Sequence, residues 1–203
     1  MAKVIYENPL ATQADLEELI QEGKRDISFT HEGVSILSQS EDDGAGLWCP
    51  KAFPADIKIE WEFRPLEGDG CAAVSFAVKD ENAFHVIYFR RINDEDKSFH
   101  VCSLIKDVGS QVVAVGADPM PDVPICVTDE PENAHDENAE LPWYRMAVLK
   151  KGKDVAFWIN DLEVLSFHDD GMAYGDLLTG GNVGLRQAGD FKAEYRNLKV
   201  TWV

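Results

Sequence analysis

The sequence predicts an all-β protein: an antiparallel β-sandwich or jelly roll with a short N-terminal helix. After Gly23 the apolar residues recur at a period of two. The alternating segments are short and are separated by polar or glycine-containing turns. The chain has 203 residues, a length that suits one β-sandwich, and neither a repeat nor a change in composition divides it. We therefore expect a single jelly-roll domain over residues 1–203.

The predicted helix lies in the segment TQADLEELIQEG, which opens near Thr12. Thr12 and Asp15 form a capping-box pattern, in which each side chain accepts a hydrogen bond from the backbone N–H of the other residue. Gly23 stands where a helix commonly ends. The apolar residues that recur at helical spacing are Leu16, Leu19 and Ile20.

The first predicted strands follow this helix. DISFT and GVSILSQS are short strands separated by the turn HEG. In DIKIEWEF, apolar side chains share one face and charged side chains share the other, which is typical of a strand with one buried and one solvated side. In CAAVSFAVK, larger apolar residues alternate with alanine and serine, and these small residues allow another element or a ligand to approach closely.

The remaining strands lie on either side of an acidic segment. AFHVIYFRR and SFHVCSLIK, with the turn INDEDK between them, predict a β-hairpin. Residues 129–140 hold six carboxylates and neither lysine nor arginine, which favours a solvated loop. A cation-binding loop is the alternative, but the spacing of the carboxylates does not match an EF-hand. The strands predicted after this loop are WYRMAVLKK, DVAFWIN, LEVLSFHDD, GGNVGLRQA and KAEYRNLKVTWV.

The charge composition restricts the partners. The chain has 19 lysines and arginines against 37 aspartates and glutamates, a formal net charge of −18, which disfavours nucleic acid and anionic membrane surfaces. The N-terminal segment lacks the apolar core of a secretory signal, and no apolar run is long enough to span a membrane. The four cysteines are widely spaced, so we expect free thiols in a cytoplasmic protein, with no metal and no cofactor.

Against this negative charge, the stretch FHVIYFRRIN places positive and aromatic side chains in a predicted strand. Its alternation puts His85 and Arg91 on one face and Tyr88 and Arg90 on the other, and either face could line a groove. Arginine suits a carboxylate because its planar guanidinium donates two parallel hydrogen bonds. We therefore expect a groove that binds a small, anionic, sugar-like ligand.

Other polar or aromatic residues extend this candidate site. Trp48 could stack on a sugar ring because GLWCP reads as a loop, and Arg196 interrupts an apolar strand near the C-terminus. The alternative for each arginine is a buried ion pair, and for each histidine a structural role. The candidate residues are Tyr88, His85 and His100 for catalysis and Arg90, Arg91, Lys106, Arg186, Gln187, Arg196 and Trp48 for substrate binding.

A pair of catalytic carboxylates of the glycosidase type is not apparent. Glycosidic cleavage requires one carboxylate as the acid and another as the base or nucleophile. The Glu-x-Asp-x-x-Glu arrangement of laminarinase-type β-sandwiches does not occur in any strand-like segment. Glu60 and Glu62 share a face in DIKIEWEF, but that face is predicted to be solvated.

Six segments between Trp48 and the C-terminus occur in a characteristic order: LWCPKAFPADIKIEWEF, HVIYFRR, SFHVCSLIKD, VAVGADPMP, WINDLEVLSFHDDG and VGLRQ…AEYRNLKV. Together they resemble the YesU-like family of uncharacterised bacterial proteins. The resemblance implies a concanavalin A-like jelly roll and a role linked to the breakdown of plant polysaccharides, but it implies no particular reaction. The last segment is also similar to the keto-disaccharide hydrolase family, which implies that Arg186 and Arg196 lie near a concave face.

Three functions are compatible with these residues. The first is an enzyme of plant polysaccharide catabolism, a lyase or hydrolase, that acts on a uronate-containing oligosaccharide. In β-elimination, arginine and glutamine side chains would neutralise the carboxylate, His85 or His100 would remove the proton, and Tyr88 would protonate the leaving oxygen. The second is a non-catalytic, lectin-like protein with the same groove, and the third is a structural protein whose arginines are all paired internally.

Overall fold

The computed structural model describes residues 2–23, 25–68, 70–94, 97–109, 111–116 and 143–203, with backbone alone for residues 39–44, 90–94, 97–101 and 111–116. The acidic segment 129–140 lies outside the described residues. Within them, one helix and thirteen strands confirm the predicted all-β class. The elements are β1 (Lys3–Asn8), α1 (Gln13–Glu17), β2 (Ile20–Glu22), β3 (Arg25–Phe29), β4 (Val34–Trp48), β5 (Ile57–Gly68), β6 (Cys71–Asp80), β7 (Ala83–Asp94), β8 (Lys97–Val108), β9 (Gln111–Gly116), β10 (Tyr144–Lys151), β11 (Asp154–Ile159), β12 (Leu162–His168) and β13 (Asn182–Trp202).

The strands form one antiparallel sheet that folds over into two layers. In the first layer the order is β12–β11–β10–β5 and then the C-terminal half of β13, beyond which lie β1, β3 and the start of β4. In the second layer the order is β9–β8–β7–β6 and then the N-terminal half of β13, beyond which lie the end of β4 and β2. Strands β4 and β13 run through both layers, and their register shifts near Gly189, whose φ is +78°.

An aromatic cluster joins the two layers. The ring of Phe89 on β7 lies 6.1 Å from Trp61 and 5.1 Å from Phe63, both on β5, and 5.7 Å from Phe157 on β11. All four side chains are buried. Burial of such large side chains stabilises a fold by roughly 1.5–3 kcal/mol each. Ile57, Ile59, Trp61 and Phe63 of β5 are buried and face inward, as the alternation of DIKIEWEF predicts.

The N-terminal helix is shorter than the sequence predicts. The capping box of Thr12 and Asp15 is present, but the helix ends at Glu17. Residues 20–22 form β2, which pairs with Gly46–Trp48 at the edge of β4, and Ile20 is 60% exposed. The helical interpretation of Ile20 was wrong because β4 offers these residues backbone hydrogen bonds that apolar spacing cannot reveal.

The interpretation of GLWCP as a loop was wrong, because Trp48 ends β4 between β2 and β13. Cys49 is a buried free thiol, as predicted. No helix in the described part of the chain is long and apolar enough to cross a membrane.

Candidate functional site

Packing against the core decides which face of β7 is inward. His85, Ile87 and Phe89 point between the two layers, where all three are buried. Tyr88 therefore points to the outer face of the second layer, where it is half-buried. For Arg90, Arg91 and His100 the structure describes only the backbone, which lies in the ladder between β7 and β8.

His85 lies inside the sandwich rather than at a surface groove. Its ring is fully buried and stacks on Phe76 at a centroid distance of 5.1 Å, and neither nitrogen has a hydrogen-bond partner among the described residues. Burial, together with the positive charges of Lys150 and Lys106, lowers the pKa of His85 from 6.5 to about 3, although the negative charge of Asp169 opposes the shift. The imidazole is therefore neutral, and a ligand on an outer face has no contact with it.

Lys106 and Gln187 also point into the sandwich. The ammonium of Lys106 lies 2.6 Å from Oδ2 of Asp169 and donates to the carbonyl of Gly175 at 3.2 Å. Gln187 donates from Nε2 to the carbonyl of Phe191 at 2.9 Å. Both side chains are at most 2% exposed, and the partners of each lie within the fold. The structure therefore does not bring them together with Tyr88.

Arg196 belongs to the first layer. Its Nε lies 2.5 Å from Oε2 of Glu62, and its Nη1 lies 3.5 Å from Oε1 of Glu32. The guanidinium stacks on the ring of Trp143 at 4.0 Å, and the guanidinium of Arg64 lies 4.7 Å from the same ring. The internal ion pair, which was the alternative for each arginine, is thus what the structure shows for Arg196.

Three predicted residues remain together on the outer face of the second layer: Tyr88, Arg186 and Trp48. Tyr88 and Arg186 are both paired with Ala73, from opposite sides of β6. Two strand spacings separate them, so their backbones lie roughly 10 Å apart. Ala73 forms a low floor between them, as the small residues of CAAVSFAVK predict. We call this set the Tyr88–Arg186–Trp48 face.

Two glycines allow the indole of Trp48 to lie close against the sheet. A Cβ at Gly184 would lie 2.5 Å from Cε3 of Trp48, and a Cβ at Gly46 would lie 3.0 Å from Nε1. The Nε1–H of Trp48 donates to Oε2 of Glu22 at 2.7 Å. These contacts hold the ring in one orientation. Glu22 was not predicted as a site residue, because its strand was interpreted as part of the helix.

Arg186 differs from three other arginines whose side chains are described. Its guanidinium lies 5.9 Å from the ring of Trp48. Among the described residues no carboxylate pairs with it, whereas Arg64, Arg145 and Arg196 each form an ion pair. The face therefore presents a half-buried cation beside a fixed aromatic ring, in a protein whose net charge is strongly negative.

This architecture, with two antiparallel layers and a polar and aromatic outer sheet face, defines a jelly-roll β-sandwich of the galectin-like type. The chain belongs to the family described as Domain of unknown function (DUF1961), which matches residues 3–81 and 78–200. It is 32% identical over 221 residues to "Uncharacterized protein YesU" of Bacillus subtilis (strain 168), covering 97% of this chain and 94% of that protein. The resemblance to the YesU-like family is thereby confirmed.

Solved structures share the same fold. A Bacillus subtilis protein of unknown function with a galectin-like fold superimposes with a TM-score of 0.73 at 29% identity, covering 98% of this chain and 95% of that one. The carbohydrate-binding module CBM66 of Bacillus subtilis superimposes with a TM-score of 0.56 at 14% identity, covering 89% and 93% of the two chains. At 14% identity the second similarity shows the fold alone.

Proposed function

We propose that this protein binds an acidic, uronate-containing oligosaccharide on the Tyr88–Arg186–Trp48 face. The proposal depends on one observation. The guanidinium of Arg186 lies beside the ring of Trp48 and has no ion-pair partner among the described residues. An aromatic ring offers an apolar surface for the C–H groups of a sugar, and a guanidinium donates paired hydrogen bonds to a carboxylate. A uronate carries both features on one ring.

The preorganisation of Trp48 supports binding at this face. The hydrogen bond to Glu22 and the close approach to Gly184 hold the indole before a ligand arrives. Fixing a recognition group in advance lowers the entropic cost of association. The structural similarity to a carbohydrate-binding module and the resemblance to a family linked to plant polysaccharides agree with a sugar as the ligand.

A lyase that uses the same face is the second candidate. Tyr88 and Arg186 lie in one row with only Ala73 between them, so a uronate that reached both would have its carboxylate at Arg186 and its leaving oxygen at Tyr88. β-Elimination also requires a base within hydrogen-bond reach of the proton α to the carboxylate. His85 is buried inside the sandwich and does not supply this base to a ligand on the outer face.

Thermal-shift measurements with uronic acids and unsaturated pectic oligosaccharides test the proposal. A ligand at about 100 times its Kd stabilises the folded state by about 2.7 kcal/mol, so the melting temperature should rise. Arg186→Gln should abolish the shift, because it removes the cation that recognises the carboxylate. The control Lys192→Gln removes the charge of another partly exposed cation, which is paired with Glu67, and it should keep the shift.

The outcomes separate the candidate functions. A shift that survives Arg186→Gln, or no shift with any acidic sugar, would contradict binding at this face. If the protein also forms an unsaturated product, Tyr88→Phe should bind the oligosaccharide but not turn it over. If the wild-type protein binds the oligosaccharide but forms no product, the lyase is excluded and the lectin-like function is supported.

A further inference from the structure

A second polar concavity lies on the opposite side of the sandwich. The outer face of the first layer contains a cavity of about 570 Å³, bounded by β5, β10, β11 and β13. Its lining includes the half-buried ring of Trp158 and several charged residues. None of the residues of the Tyr88–Arg186–Trp48 face contributes to it.

The strand register explains why a concavity forms there. Trp158 is paired with Ala147, and Ala147 is paired on its other side with Glu60. The backbones of Trp158 and Glu60 therefore lie roughly 10 Å apart, with only a methyl group between them. Lys199 is paired with Glu60 and continues the row. A large aromatic side chain thus stands on one side of a low floor, and a carboxylate and an ammonium stand on the other.

The charged groups of this cavity are mutually balanced. Its lining contains three acidic and three basic residues, so its formal charge is zero: Glu60, Glu62, Asp161, Lys58, Arg145 and Lys199. Such a lining gives no net attraction for an anion or for a cation. An uncharged, hydroxyl-rich ligand matches it, because each hydroxyl can both donate and accept hydrogen bonds.

The ion pairs also orient the carboxylates towards the cavity. Glu60 contacts Lys58 at 2.8 Å through Oε1 and Lys199 at 3.0 Å through Oε2. Desolvation opposes ionisation of Glu60, but these two lysines lower its pKa overall, so it is a carboxylate at neutral pH. Each carboxylate oxygen has two lone pairs, and one ion-pair contact leaves capacity for a sugar hydroxyl. Exposed ion pairs contribute only about 0–1 kcal/mol to stability, so this array is not needed for folding.

We propose that this cavity is a second carbohydrate site, which binds one ring of an uncharged sugar. Trp158 stacks on the apolar face of the ring, Glu60 and Glu62 accept hydrogen bonds from its hydroxyls, and Arg145 and Lys199 donate to them. This site is independent of the acidic-sugar site proposed above, because it differs in its layer, its residues and its charge. The floor at Ala147 limits the site to a single ring between Trp158 and Glu60.

Ligand-observed NMR titration with neutral trisaccharides built from glucose, galactose, mannose or rhamnose tests this site. At least one should bind the wild-type protein, and Trp158→Ala should raise its Kd at least tenfold. Trp202→Ala removes another tryptophan, which is 51% exposed on β13, and Trp48→Ala removes the ring of the acidic-sugar site. Both controls should keep the wild-type Kd. Glu60→Gln, which preserves the side-chain shape, should also raise the Kd, and it decides the matter if Trp158→Ala fails to fold.

Two results would overturn the second site. One is that none of the neutral trisaccharides binds the wild type at millimolar concentration. The other is that binding is lost in Trp48→Ala but kept in Trp158→Ala, which would show that neutral sugars bind on the second layer. Because the acidic-sugar site is measured with different ligands and with Arg186→Gln, failure of one proposal is distinguishable from failure of the other.

Discussion

Replacement of His85 by phenylalanine should flatten the dependence of stability on pH. The folded-state pKa of this buried imidazole is about 3, against 6.5 for the free side chain. Below about pH 6.5 the unfolded chain therefore takes up a proton at His85 that the folded chain does not. The state that binds more protons is stabilised as the pH falls. Because this is the unfolded state, His85 destabilises the fold progressively in acid. Among the described residues, the charges of Lys150, Asp169 and Lys106 influence the pKa of His85.

The magnitude follows from the size of the pKa shift. One proton contributes about 1.36 kcal/mol for each pH unit between the two pKa values. From about pH 6.5 to about pH 4.5, His85 should therefore cost roughly 2–3 kcal/mol of unfolding free energy. His85→Phe removes this part of the loss and keeps an aromatic ring against Phe76. In the described part of the chain neither ring nitrogen has a hydrogen-bond partner, so the substitution breaks no hydrogen bond there at neutral pH.

Urea unfolding at about pH 7 and about pH 4.5 measures this difference, since the free energy of unfolding extrapolates linearly to water. Between the two pH values, the free energy of unfolding of His85→Phe should fall by roughly 2–3 kcal/mol less than that of the wild type. His31→Phe is the control, because the exposed His31 is solvated in the folded and unfolded chain alike. If His85→Phe and the wild type lose the same free energy, the argument from buried, neutral His85 is refuted.

Two further substitutions test the polar groups inside the sandwich, both by urea unfolding. Lys106→Met leaves the buried Asp169 without its cation and should lower the free energy of unfolding by about 3–5 kcal/mol. Adding Asp169→Asn should recover part of this loss. Equal stability of the single and double variants would contradict the ion pair. Gln187→Leu removes the donor to the carbonyl of Phe191 and should lower the free energy of unfolding by about 1–3 kcal/mol. Gln13→Leu is the control at an exposed position, and it should change the free energy of unfolding by less than about 0.5 kcal/mol.

The candidate site was predictable only in part. The sequence indicated Tyr88 and Arg186, because charged and aromatic residues stand out in apolar strands of an acidic protein, and it indicated Trp48 through the incorrect interpretation of GLWCP as a loop. It indicated His85 and Lys106 for the same reason, although the structure buries both. Whether a polar residue in a strand faces solvent or the core depends on a partner elsewhere in the chain. For Lys106 that partner is Asp169, which no local pattern connects to it.

The sequence by itself determined most of the strands after Gly23 and the alternation of residues between their two faces. A period of two is a local property, and it predicted both the hairpin of β7 and β8 and the inward set on β5. The capping box of Thr12 and Asp15 is equally local and was correct.

Tertiary structure alone decided which strands became neighbours and which face of β7 turned inward. Both faces of that strand carry apolar and polar residues, so the choice depended on Phe89 packing against Trp61 and Phe63. The pairing of β4 with β2 and β13 likewise placed Trp48 over Gly184. These contacts join residues far apart in the chain, and their free energy depends on packing in three dimensions, which a pattern along one strand does not contain.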